Sequence, residues 1–312
     1  MFLKNAFKLF VNNINLSLKT VLYRLVVTIL SFVAIVAVCK GPLDVIVKSE
    51  SFSAFLQNVN TTVHAFISGK FTEIANIKDS FTSLVKFIGS HMSEIRLALV
   101  IVAVILFVRL YLLGICNYVV CYVLNGYMST ISRLPFMRGM VGTIARSAVF
   151  ELVYTLAKII FMIIAVLAAL IFIVYTASYL FIFSFIIGIW IVILAVSLFL
   201  SFTVTVRPSV VNGRKINESF NFKLDKKESI SIFASYVFAT IMAVAFNVGM
   251  LYSTLGAGLL VSLPATYVFF VAFQLAVFYS VDGRKYYIDY DTIITPKKLR
   301  TEDDKLLNEV EM

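Results

Sequence analysis

Arg109, Glu151 and Lys158 are the residues whose types and places could carry chemistry, because each interrupts or borders a long apolar run. An arginine near the middle of a bilayer costs at least about 2.5 kcal/mol on insertion scales. It must therefore face a bundle interior, a wet cavity or an acid. Glu151 and Lys158 are seven residues apart and share a helix face. Two arrangements follow. In one, Arg109 pairs with Glu151 across two antiparallel helices while Lys158 snorkels inward. In the other, Arg109 and Lys158 line a site for an anion or a lipid headgroup. The ion pair is the default arrangement for such charges, and the anion site is the functional alternative.

The uncharged polar residues inside apolar runs are Asn117, Asn247 and Gln274. Such residues bond to a neighbouring helix for about 0.6–2 kcal/mol, which is the role expected here. Ser231, Ser235, Ala239, Ala243 and Asn247 recur every four residues. That small-residue stripe predicts close approach by another helix. His64 and His91 are 27 residues apart with no further ligands nearby, so no metal site is expected. Cys39, Cys116 and Cys121 lie in or beside apolar runs and read as small hydrophobes. Asn60-Thr61-Thr62 fits a glycosylation acceptor, relevant only in a eukaryotic secretory pathway. Phosphate-binding loop, nucleophile elbow, His-Glu-x-x-His and Cys-x-x-Cys signatures are all missing. The expectation is no enzyme, no cofactor and no nucleic-acid partner.

The elements that hold these residues follow from composition. Apolar residues make up 61% of the 312, against roughly 45–50% in soluble proteins. Charged residues are 14% and mean hydropathy is +0.96. A soluble globule could not cover that much apolar surface. The chain is an all-α polytopic membrane protein.

Spans are expected at about 21–39, 97–119, 156–176, 184–206, 229–250 and 259–280. Arg24 sits at the inner edge of the first, where it is expected to snorkel. The long basic region before that span, and Val38 before Cys39, argue for a retained helix over a cleaved leader. Ile159–Val206 contains no charge over 48 residues, enough for two spans and a turn. The aromatic cluster Tyr175, Tyr179, Phe181, Phe183 and Phe185 marks that turn.

Residues 1–20 place Leu3, Phe7, Phe10, Ile14 and Leu18 at helical spacing, with Lys4, Lys8 and Lys19 between them. This is a basic amphipathic helix suited to an anionic inner leaflet, the alternative being the first turns of a long helix that enters the bilayer. Residues 41–95 hold two amphipathic stretches, read as an outer helical hairpin. The segment 281–312 is expected to be a cytoplasmic tail. With both termini inside, the inner segments carry 19 Lys and Arg and the outer segments 6. That asymmetry selects six helices with both ends cytoplasmic.

Two short segments carry a resemblance. One is Val206-Arg207-Pro208-Ser209-Val210-Val211-Asn212-Gly213, followed by Asn217-Glu218-Ser219. The other is Tyr279-Ser280-Val281-Asp282-Gly283-Arg284. Over roughly residues 140–290 the chain resembles the bacterial six-helix membrane domain sometimes fused to glycerophosphoryl diester phosphodiesterases, and its stand-alone relatives. The resemblance implies a bacterial inner-membrane protein without carrying over the phosphodiesterase activity, whose domain is not in this sequence.

The reading is a non-enzymatic accessory protein of the cell membrane that binds lipid or a partner subunit. The alternative is a permease subunit for an anionic or amphipathic solute that uses Arg109 and Lys158.

Overall fold

The computed structural model describes residues 2–68, 75–219, 226–289 and 292–295. The chain is an all-α polytopic bundle with six helices long and apolar enough to cross a membrane. Its contacts divide it into two compact units, residues 27–110 and the remainder.

In the larger unit, α1 (Phe2–Asn12) turns at Asn13 into α2 (Ile14–Val47). The buried face of α1 carries Asn5, Ala6 and Leu9. It packs on α10 (Leu259–Asp282) and on β1 (Tyr286–Asp289). Asn5 Nδ2 donates to the Tyr286 hydroxyl at 2.9 Å, and Asn12 Nδ2 donates to the Ile288 carbonyl at 3.1 Å. β1 pairs antiparallel with β2 (Thr292–Ile294), Tyr286 opposite Ile294. This small sheet is an addition to the helical architecture, inside the segment read as tail. Its side chains alternate: Tyr286 and Ile288 are buried, and Asp289 is exposed. The remainder of the tail, beyond 295, lies outside the described residues.

α5 (Met92–Thr130) leads through residues 131–135 to α6 (Phe136–Phe202), which is helical over 67 residues. A straight helix of that length would measure about 100 Å, three times the hydrocarbon thickness. It is not straight. A Cβ on Gly188 would lie 2.6 Å from Ile173 Cδ1, although 15 residues of straight helix span about 22 Å. Phe161 and Phe199 rings are 5.3 Å apart, and the Tyr154 and Thr203 hydroxyls are 3.0 Å apart. The helix therefore doubles back, and its two arms pack antiparallel as spans three and four. The side chains of 177–183 and 185, where the aromatic turn is expected, lie outside the described ones. The uncharged Ile159–Val206 folds into arms of about 36 Å each, slightly more than the roughly 30 Å hydrocarbon core. Lys158 and Arg207 therefore stand at one edge of that core.

A turn at Thr203–Thr205 leads to α7 (Val206–Val211), then α8 (Ile216–Ser219) and α9 (Lys226–Ser253). A tight turn with Leu255 and Gly256 at φ 51 and 93 reverses the chain into α10. α10 is the hub: 56% of its apolar window is buried, against 11–28% in the other five spans. Its run Val271–Tyr279 is buried without interruption. Gly283 ends it in the left-handed region at φ 72, where a residue without Cβ is unstrained.

The smaller unit contains α3 (Glu50–Ile67) and α4 (Ala75–Ser90). They pack on each other, with Phe55 and Phe81 rings 6.0 Å apart. Leu84 is buried, while Leu56, Val63 and Val85 are exposed. Phe71 and Ile74, in the second amphipathic stretch of 41–95, lie outside the described residues.

Candidate functional site

Glu151 lies in the first arm of α6 and is 1% exposed. Its partner is Arg207 of α7. Arg207 Nε donates to Oε1 at 2.7 Å and Nη2 donates to Oε2 at 3.2 Å. Nη1 donates to Gln274 Oε1 of α10 at 3.2 Å. The guanidinium stacks on the Tyr154 ring, 4.9 Å from its centroid. Tyr154 is one turn beyond Glu151 on the same face. Tyr236 of α9, fully buried, sits beside Gln274 without a well-formed hydrogen bond. Four elements thus converge on one guanidinium.

A fifth element makes room for the acid. Gly114 of α5 faces the carboxylate so closely that a Cβ there would lie 2.5 Å from Glu151 Oε2. Only a residue without a side chain allows the carboxylate to reach Arg207 in this geometry. The result is a bidentate, buried ion pair in which Arg207 engages both carboxylate oxygens.

The acid's partner thus differs from the expected Arg109. Arg109 lies on α5 five residues before Gly114, with its Nε buried and without a hydrogen-bond partner. Lys158 is half-buried two turns beyond Glu151. Neither belongs to an ion pair among the described residues, where the pairs are Arg207–Glu151, Arg214–Asp282 and Arg284–Asp282.

Arg24 was expected to snorkel, and the structure corrects this. It is 6% exposed and turns into the bundle, donating from Nη2 to Asn117 Oδ1 at 2.6 Å. Its guanidinium lies 4.5 Å from the centroid of the Tyr267 ring. Packing among α2, α5 and α10 encloses it where a lone helix would have let it reach water.

The segments 206–219 and 279–284 meet in space. Asn212 Nδ2 donates to Asn125 Oδ1 at 3.0 Å, and the Tyr279 hydroxyl donates to the same oxygen at 2.9 Å. Asp282 is bridged by Arg214 and Arg284, each at 2.6 Å.

Along α9, Ala239 is buried and Asn247 accepts from Ser262 at 2.6 Å and donates to Thr266 at 3.1 Å, both on α10. Ala243 and Ser235 are half-buried, and Ser231 is exposed with its carbonyl accepting from Ser235. His64 is exposed, and the His91 ring lies against Phe87 at 4.3 Å. Among the described residues no cluster of His, Cys, Asp or Glu could hold a metal ion. Cys116 and Cys121 are buried, Cys39 is half-buried, and all three are free thiols.

Fold and site define a polytopic α-helical membrane protein with a buried ion pair at one edge of its apolar core. No protein-family model, no curated protein and no solved structure matches the chain.

Proposed function

We propose that the protein is a non-enzymatic accessory protein of a bacterial cytoplasmic membrane, with both ends of the chain inside, that binds anionic lipid at the inner leaflet. The observation that carries the reading is the placement of α1. One face is clamped to α10 and β1, which fixes the helix on the bundle. The opposite surface exposes Phe7 and Val11 beside Lys4 and Lys8, and continues into Ile14, Leu18 and Lys19. Apolar side chains flanked by lysines suit the boundary between acyl chains and anionic headgroups. Kinship to the membrane domain associated with glycerophosphoryl diester phosphodiesterases is proposed on the two segments joined through Asn125 and Asp282.

The test uses full-length protein in nanodiscs of equal phosphatidylcholine and phosphatidylglycerol. Retained lipids are counted by native mass spectrometry after a delipidating wash. Phosphatidylglycerol is expected to be enriched. At about 1 kcal/mol per basic residue near an anionic surface, Lys4→Glu, Lys8→Glu and Lys19→Glu together should reduce the enrichment by about two orders of magnitude. Equal retention of the two lipids by the wild type would refute the reading.

A second reading, a permease subunit for an anionic solute, rests on Arg109 and Lys158 forming no ion pair among the described residues. It requires anion flux in proteoliposomes that Arg109→Leu abolishes while the fold persists.

A further inference from the structure

Arg24 differs from Arg207 in having no acid beside it. Its Nη2 is committed to Asn117, while Nε and Nη1 are buried with no hydrogen-bond partner. Asn117, which takes its Nη2, is three residues along α5 from Gly114 beside Glu151, and Tyr267, which covers it, is seven residues along α10 from Gln274 beside Arg207. A guanidinium held there with two unmade hydrogen bonds is unfavourable unless an acceptor reaches it.

The neighbours do not supply one. The Tyr23 hydroxyl is committed to the Leu112 carbonyl at 3.0 Å. Cys116 beside it offers a thiol, a weak acceptor. Asn117 already accepts from Nη2. The remaining cover is Tyr267, whose ring lies on the guanidinium while the residue is 38% exposed on the outer surface of the bundle. That ring is the part of the cover that faces outward.

We propose that Arg24 is the binding group of an oxyanion site closed by Tyr267, taking a phosphate-type group from the inner-leaflet side, either on a lipid headgroup or as a free anion. The guanidinium chemistry suits this ligand. Nη2 carries two N–H groups and Asn117 takes one, so the other completes a single fork with Nε or with Nη1 that presents two parallel donors to two oxygens. The site is separate from the lysines of α1, and the test uses different residues, so each idea fails on its own.

Full-length protein is placed in nanodiscs of neutral phosphatidylcholine and titrated with inorganic phosphate, following thermal unfolding. In parallel, nanodiscs containing phosphatidylglycerol are assayed for retained lipid by native mass spectrometry. At least one probe should bind saturably, and Arg24→Gln should weaken that binding at least tenfold. Arg24→Lys keeps the charge but removes the fork, and should recover only a small part of the affinity. Tyr267→Ala should preserve binding and speed ligand exchange several-fold, because it removes the cover. If Arg24→Gln does not fold, Arg24→Lys and Tyr267→Ala decide between the outcomes. A response to phosphate alone names a free oxyanion, and a response to the lipid alone names a headgroup. Saturable binding of neither probe, or full affinity in Arg24→Lys with unchanged exchange in Tyr267→Ala, overturns the proposal.

Discussion

Replacing Glu151 with Gln leaves Arg207 as an uncompensated buried cation. The carboxylate accepts two charge-assisted hydrogen bonds, at 2.7 and 3.2 Å, and both residues are under a tenth exposed. Each such bond contributes about 1.5–3 kcal/mol, and breaking a buried pair by removing one partner costs about 3–5 kcal/mol. The two figures agree, so Glu151→Gln should destabilise by roughly 3–5 kcal/mol. The double variant Glu151→Gln, Arg207→Met removes both charges and should recover most of that loss, because exchanging a whole buried pair for neutral groups is nearly neutral. Gly114→Ala reaches the same pair without touching either charge. Its Cβ would meet Oε2 at 2.5 Å, and overpacking of this kind costs about 1–3 kcal/mol. Gly142→Ala, with nothing within 4 Å, is the control and should be neutral or stabilising. Equilibrium unfolding of the reconstituted protein, by steric trapping in bicelles, measures all four. A Glu151→Gln cost below about 1 kcal/mol would refute the reasoning, as would a double variant no more stable than the single.

The reversal of α6 and the clasp between the chain's two ends yield further tests. In a background lacking Cys39, Cys116 and Cys121, Ile173→Cys and Gly188→Cys should cross-link under mild oxidation. A straight helix would hold them about 22 Å apart, so absence of the cross-link would exclude the hairpin. Burial pushes the Tyr286 phenol above its ordinary value of 10.0, an effect partly offset by the hydrogen bond from Asn5. A folded-state value above the unfolded one means the neutral phenol is favoured by folding. This contribution is complete below pH 10 and is lost as pH rises through the higher folded value. The protection of the Leu9 and Ile288 amides relative to their base-catalysed intrinsic exchange should therefore fall above pH 10, and protection constant to higher pH would remove Tyr286 from the clasp.

The spans were legible because each is an apolar run bounded by charges or a turn. Glu151 was also legible as the acid of an intramembrane pair, but its partner was not. Arg207 lies 56 residues away, beyond the uncharged run, whereas Arg109 stood out as an isolated charge. A usable signal existed. Glu151 and Arg207 are equidistant from residue 179, inside the expected aromatic turn, and antiparallel arms bring equidistant residues together. Gly114 carried no such signal, since a glycine in an apolar helix looks the same whether it faces lipid or a carboxylate. Arg24 looked like a snorkelling residue because burial depends on what α5 and α10 place around it. The β1–β2 hairpin escaped because two strands of four and three residues after a span have too little period to read.

The clasp of α1 on β1 has a consequence for the order of synthesis. Asn5 and Tyr286 are 281 residues apart. At about 5–20 residues per second, the ribosome emits the second roughly 15–60 s after the first. For most of that interval neither α10 nor β1 exists, and the Ala6 and Leu9 face must rest elsewhere, with the membrane surface at hand. The last contacts to form hold the first helix made, so nascent chains halted before α10 would carry an undocked α1. That gives a cell's quality control a physical mark by which to distinguish finished molecules from interrupted ones.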